Sequence, residues 1–246
     1  MQLVHTSSVE SLGDHVVHVI EALVRKEPNA VIGWPSGRST LPVLEAVARR
    51  DDIDLAGVTI AMMDEYAHRV DDHFLDCDPA AHYSCHRWVE QHWNTALAPS
   101  VRPEVLIPSA ADPSGYEQII EERGGIDLFL VAIGTSDGHV AFNPPGTPSD
   151  SRTRVVQIAQ STRMDNLGTF PEFIEVEDVP SHGTSVGLGT ILSSRQIIAL
   201  AHGPQKADIV KRTLAAGKFS ADLPSTCIYL SDNCQFFVSE LGEDIR

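Results

Sequence analysis

The stretch Leu128-Phe-Leu-Val-Ala-Ile-Gly134 constrains the fold more than any other part of the chain. An apolar run with no polar alternation fits a strand covered on both faces, and such strands belong to parallel sheets with helices on either side. Gly134 ends the run, and Asp137, Gly138 and His139 follow within five residues. In open α/β sheets ligands bind beyond the carboxyl ends of strands, so chemistry is expected in this loop. Asp137 can orient and polarise the His139 imidazole for proton transfer to or from a substrate oxygen. The same residues also suit a polar turn whose histidine satisfies loop carbonyls.

The rest of the chain alternates in the same way. Leu3 to His5 begins a first strand, and Val16, Val17, Ile20, Leu23 and Val24 recur at helical spacing between Val9 and Arg25. Strands are expected at Val31–Trp34, Val58–Met63, Val105–Pro108, Thr153–Ala159, Gln196–His202, Ser225–Leu230 and Gln235–Val238. Helices are expected at Leu41–Arg50, Ser114–Arg123 and from Gly203 to about Ala216. Strands alternating with helices point to one doubly wound α/β domain spanning residues 1–246, with a mainly parallel sheet flanked by helices.

Two strand ends besides Gly134 carry polar residues. Pro35-Ser-Gly-Arg-Ser-Thr40 is a small-residue turn between a strand and a helix. Backbone N–H groups and the helix dipole there can cradle an anion, with Arg38 adding a cation. The Gly-Lys-Ser/Thr ending of a Walker loop is missing, and a solvated turn with Thr40 as N-cap is the competing reading. Val58–Met63 ends in Asp64-Glu65-Tyr66, where two carboxylates can supply a general base or simply face water. Between Ala67 and Trp93 lie five of the eleven histidines, with Asp71, Asp72, Asp76 and Asp78. His82 and His86, four apart on an expected helix, permit shared metal ligation. Without the Glu of a His-Glu-x-x-His pattern, a mobile polar lid is the expectation. Lys206 at a helix start is electrostatically unfavourable unless it serves an anion.

The formal charge of −16, from 18 basic and 34 acidic residues, argues against nonspecific binding of nucleic acid or anionic membranes. No apolar run approaches the ~20 residues of a membrane span, and no signal peptide is visible at Met-Gln-Leu-Val-His. Cys77, Cys85, Cys227 and Cys234 lack metal-knuckle spacing, which favours reduced thiols in a cytoplasmic protein.

Pro35–Thr40, Met63-Asp-Glu-Tyr66, Gly134-x-x-Asp-Gly-His-Val-Ala-Phe-Asn143 and Val186-Gly-Leu-Gly-Thr-Ile-Leu192 together resemble the glucosamine-6-phosphate deaminase (isomerase) family. Its wider superfamily includes 6-phosphogluconolactonase. Ser151-Arg-Thr-Arg154 and Gly203-Pro-Gln-Lys-Ala207 also match in order and spacing. Met-Asp-Glu-Tyr, Ala-Phe-Asn and Val-Gly-Leu-Gly-Thr look like the deaminase branch.

The resemblance implies an aldose–ketose isomerase/deaminase acting on a small sugar phosphate, with no metal and no organic cofactor. It implies Asp64 as the base between C2 and C1, with Glu65 and Tyr66 beside it and Glu65 among the substrate-binding residues. Asp137 and His139 become the ring-opening pair. Ser36, Gly37, Ser39 and Thr40 become the phosphate loop, and Lys206 a phosphate-gripping lysine. A homo-oligomer is compatible with it. Two places depart from the family pattern. Pro144 stands where the family usually has a glutamate, and Gly168 where it has a phosphate-holding arginine; Arg38 is the candidate to offset the latter. Val156 stands where allosteric members carry a lysine. The alternatives are a 6-phosphogluconolactonase-like lactone hydrolase and a non-catalytic sugar-phosphate-binding protein.

Overall fold

Nine buried side chains on two neighbouring strands show why the apolar runs lack alternation. In the computed structural model, which describes residues 1–242, strand β7 (Leu128–Ala132) pairs with β10 (Gln196–His202) in parallel. Leu128, Leu130, Ile198 and Leu200 face one core, while Phe129, Val131, Ile197, Ala199 and Ala201 face another. The remaining strands of this sheet are β1 (Gln2–Thr6), β2 (Val31–Trp34), β3 (Thr59–Met62), β6 (Glu104–Leu106) and β11 (Cys234–Ser239). All seven are parallel, in the order β1-β11-β10-β7-β2-β3-β6. This is the layered α/β architecture expected from the sequence.

Helices close both faces. The first core is roofed by α1 (Val9–Lys26), α2 (Leu41–Ala48) and α3 (Cys85–Ala96). Ser8 caps α1 by accepting the Ser11 N–H, and Leu12, Val16, Val17, Ile20 and Val24 form its buried stripe. Trp93 of α3 meets Trp34 edge to face at 4.8 Å. The second core is covered by α4 (Pro113–Glu122), α6 (Leu188–Leu192) and α7 (Ala207–Ala216), with Tyr116, Ile120, Ile191, Ile209 and Val210 buried.

A second sheet was not expected from the sequence, although its strand Arg154–Gln157 falls within the expected Thr153–Ala159. Its strands, β4 (Asp64–Val70), β5 (His73–Asp76), β8 (Arg154–Gln157) and β9 (His182–Ser185), run antiparallel in the order β5-β4-β9-β8. They cover a small third core of Tyr66, Cys77, Phe142, Val156, Ile158, Phe173 and Val179.

This sheet corrects the reading of Ala67–Trp93 as a lid. The segment is a β4–β5 hairpin, a short loop and helix α3. Its outer half is polar because residues 68–70 project from the core and are exposed. His82 precedes α3 instead of lying on it with His86; its ring packs at 4.6 Å from that of Phe173. Ser225–Leu230 is not a strand either. Pro224–Leu230 forms a 3₁₀ helix, with the Ser225 hydroxyl 2.6 Å from that of Thr213 on α7.

Candidate active site

The strand order reverses between β2 and β7, which are neighbours although β3 and β6 intervene in sequence. Crevices form at such switch points because the loops leave in opposite directions. A cavity of about 420 Å³ opens there, beyond the carboxyl ends of β2, β3, β7 and β10. One wall comes from helix α5 (Gln160–Thr169), which presents Asp165, Asn166 and Gly168.

Asp64 lies where the chain leaves one sheet for the other. Met63 donates its N–H to Trp34 O, and Asp64 begins β4 opposite Ser185. Its carboxyl lines the cavity yet is only 7% exposed. Burial, then the adjacent Glu65 charge, push its pKa up to about 7, against a lowering contact from the Cys85 thiol. A carboxylate poised near neutrality is well matched to proton abstraction.

Glu65 points the other way, as strand alternation requires. It is fully buried and does not line the cavity. Its carboxylate accepts from Ser84 Oγ at 2.9 Å, from Cys85 N at 3.1 Å and from His86 N at 3.3 Å, at the start of α3. An anion satisfying free N–H groups there is favourable. Glu65 therefore anchors α3 and faces away from the cavity, contrary to its reading as a substrate-binding residue.

The histidine loop is tied at several points. Gly134 N donates to His139 O at 2.8 Å, and Gly138 O accepts from Ser225 N at 2.7 Å. A Cβ on Gly134 would collide with the His139 ring, so only glycine leaves room for it. Asp137 Oδ1 lies 2.7 Å from His139 Nδ1 and accepts the His139 N–H at 3.1 Å. Its Oδ2 accepts from Ser161 and, at 3.1 Å, from Thr162. Burial alone would raise the Asp137 pKa, but the bonds and charge of His139 and the Ser161 hydroxyl hold it well below the carboxylate range. His139 lines the cavity. With Nδ1 held by Asp137, Nε2 is the nitrogen left for proton exchange.

At the other end, Ser36, Gly37, Arg38 and Ser39 line the cavity on the loop after β2. Gly37 takes φ 87°, a left-handed conformation suited to glycine. Thr40 is fully buried and absent from the lining; its hydroxyl donates to Pro35 O at 2.9 Å and closes the loop, so it neither caps α2 nor reaches the cavity. Arg38 Nη2 lies 3.4 Å from Thr169 Oγ1, one residue beyond Gly168. Lys206 donates to Ile133 O, and burial lowers its pKa to about 8, Asp165 raising it and Arg38 lowering it in part. Pro144 does not face this cavity. It lines a separate groove with Arg154–Gln160, and its carbonyl accepts from Thr147 Oγ1 at 2.7 Å.

Four further groups escaped the sequence reading. Asn166 donates to the Tyr66 hydroxyl at 2.8 Å, joining α5 to β4 across the cavity. Asp165 accepts the Ser136 N–H at 3.0 Å. Ser161 and Thr162 hold Asp137 from α5. These polar residues sit on a helix with no recognisable motif, and only tertiary contact gives them a role. His202 also lines the cavity with its Nε2 unpartnered; its place immediately before Gly203-Pro-Gln-Lys206 was the signal for it.

Comparison with known proteins gives this geometry a lineage. Residues 5–237 match the family model described as glucosamine-6-phosphate isomerases/6-phosphogluconolactonase. The chain belongs to this family. Among its relatives, the glucosamine-6-phosphate deaminase of Arthrobacter sp. (strain FB24) is 34% identical, over 98% of this chain and 90% of the relative. Glucosamine-6-phosphate deaminase 1 of Giardia intestinalis is 32% identical, over 97% and 88%. A solved monomeric glucosamine-6-phosphate deaminase superposes with a TM-score of 0.83 at 27% identity, covering 98% of both chains. The 6-phosphogluconolactonase of Shewanella baltica OS155 shares the fold at a TM-score of 0.69 and 16% identity, covering 97% of both. The family's enzymes thus supply the frame for the site, and the monomeric relative means that the fold does not require an oligomer.

Proposed function

We propose that this chain is a glucosamine-6-phosphate deaminase, converting an amino sugar phosphate to a ketose phosphate and ammonia. The observation that carries this reading is Asp64, a cavity-facing carboxyl with a pKa of about 7, sharing one cavity with the Asp137–His139 pair. Relatives 34% and 32% identical that bear the deaminase name support it.

His139, through Nε2, exchanges the proton between the ring oxygen and the anomeric hydroxyl and opens the sugar. Asp64 takes the C2 proton and returns it to C1, which converts the amino aldose to a C2 imine. Water adds to the imine carbon, ammonia leaves, and the ketose phosphate remains. The overall change is hydrolytic, and the scheme uses side chains and water. Arg38, Lys206 and the Ser36–Ser39 loop hold the phosphate, with the partly buried Lys206 ammonium made more effective by the lower local dielectric.

The test is a panel of hexosamine and hexose phosphates and lactones, assayed for ammonia release, ketose formation and lactone hydrolysis. Ammonia and ketose formed in equal amounts from glucosamine 6-phosphate support the reading. Lactone hydrolysis without ketose formation, or binding without turnover, overturns it. Arg38→Ala is expected to weaken binding of 2-deoxyglucose 6-phosphate by roughly one to two orders of magnitude, since a charged hydrogen bond contributes ~1.5–3 kcal/mol. Calorimetry checks this, and equal affinities would place the guanidinium outside the phosphate site.

A further inference from the structure

We propose that Cys85 is a positioning residue for Asp64: its thiol, set at the first turn of α3 by Glu65, orients the base and links it to Ser36 of the anion loop. The proposal rests on the assignment of Asp64 as the base. Cys85 Sγ lies 3.6 Å from Asp64 Oδ1 and 3.4 Å from Ser36 Oγ, both within reach of a thiol contact. The residue is 1% exposed and does not line the cavity, so it meets the base from behind. Its position is over-determined. Its N–H donates to Glu65 Oε1 at 3.1 Å, and Trp88, Val89 and Trp93 bury the rest of α3 in the core.

The chemistry of the contact follows from its neighbours. Burial, then the charges of Glu65 and Asp64, push the Cys85 thiol well above its ordinary pKa, so it stays protonated and acts as a donor. A thiol has one proton to give. Ionised Asp64 attracts it more strongly than Ser36 does, and protonated Asp64 releases it toward Ser36. The ionisation state of the base is thereby communicated to the loop proposed to hold the phosphate. The other titratable groups acting on Asp64 are Glu65 and Tyr66 from β4 and Tyr116 from α4. Across the cavity stand His139, His202, Arg38, Asp165 and Lys206. Cys85 is the side-chain donor among the causes that favour its charged form.

The test compares wild type, Cys85→Ala, Cys85→Ser and Asp64→Asn by the pH profile of kcat/KM on glucosamine 6-phosphate. In parallel, the protonated-carboxyl stretch of Asp64, identified by its loss in Asp64→Asn, is titrated by infrared difference spectroscopy. Cys85→Ala removes a donor to the carboxylate and is expected to move the acidic limb and the infrared midpoint up by about half a pH unit or more. Cys85→Ser keeps a donor and is expected to return both toward wild type. An unmoved midpoint in Cys85→Ala, or one displaced equally in Cys85→Ser, overturns the proposal. Wild-type turnover by Asp64→Asn would instead overturn the base assignment, and the infrared midpoints would still decide the thiol contact.

Discussion

Replacing Asp64 with asparagine is expected to lower turnover of glucosamine 6-phosphate by ~10²–10⁴-fold, the usual worth of a general base. The side chain keeps its size and its place opposite Ser185, so sugar-phosphate binding is expected to survive. Exchange of the substrate C2 proton with solvent, followed by NMR, isolates the step; undiminished exchange would remove Asp64 from the mechanism. As the proposed base, the same carboxyl is expected to set the pH dependence. It acts only when ionised, and its pKa is about 7, so kcat/KM of the wild type is expected to fall about tenfold per pH unit well below that value. A chain whose base kept an ordinary carboxylate pKa would show no such limb near neutrality.

The second large effect is expected at His139. His139→Gln removes proton exchange at the ring oxygen and is expected to cost ~10²–10⁴-fold on a cyclic substrate. A 5-deoxy substrate analogue cannot form the six-membered ring through O5, and its C2 exchange by Asp64 is expected to change far less. Steady-state kinetics on the cyclic sugar and exchange on the analogue, measured together, separate the two steps. Equal losses on both would mean that His139 does more than open the ring.

The two predictions concern residues that the sequence exposes for different reasons. The apolar run Leu128–Ile133 reads directly as a doubly covered strand, and the polar break after it brings Asp137 and His139 to a strand's carboxyl end. Met63-Asp64-Glu65 reads equally well as a strand end. Sequence alone does not reveal that the strand ends only to restart in another sheet. That restart turns Asp64 toward the cavity and Glu65 away from it, a distinction set by strand alternation across the joint. Most of the antiparallel sheet was illegible because the outer part of β4 and most of β5 are exposed, apolar Val70 and Leu75 included, so burial does not follow the apolar pattern there. Thr40 was misplaced for a smaller reason: a threonine before a helix is an N-cap in most contexts, but here its hydroxyl turns back to Pro35. Ser161, Thr162 and Asn166 act only through partners at least 23 residues away in sequence, as in the Thr162–His139 contact, and no local pattern announces them.

The buried carboxyl of Asp64 also carries a thermodynamic consequence for the whole molecule. Its folded-state pKa of about 7 lies above the ordinary value of 3.8, so the native chain holds this proton more tightly than the unfolded chain does. The stabilisation is complete below about pH 4 and is lost as pH rises through 7, amounting to a few kcal/mol by linkage. An uncharged asparagine has no such term. Asp64→Asn is therefore expected to melt at a higher temperature than wild type at pH 8, with the gap narrowing toward pH 5. Thermal unfolding followed by circular dichroism at the two pH values checks this, and a gap independent of pH would mean that the ionised carboxylate is not strained in the native state. With Asp64 as the proposed base, activity and resistance to heat are set against each other at a single side chain, because stability falls in the pH range where this carboxyl is ionised.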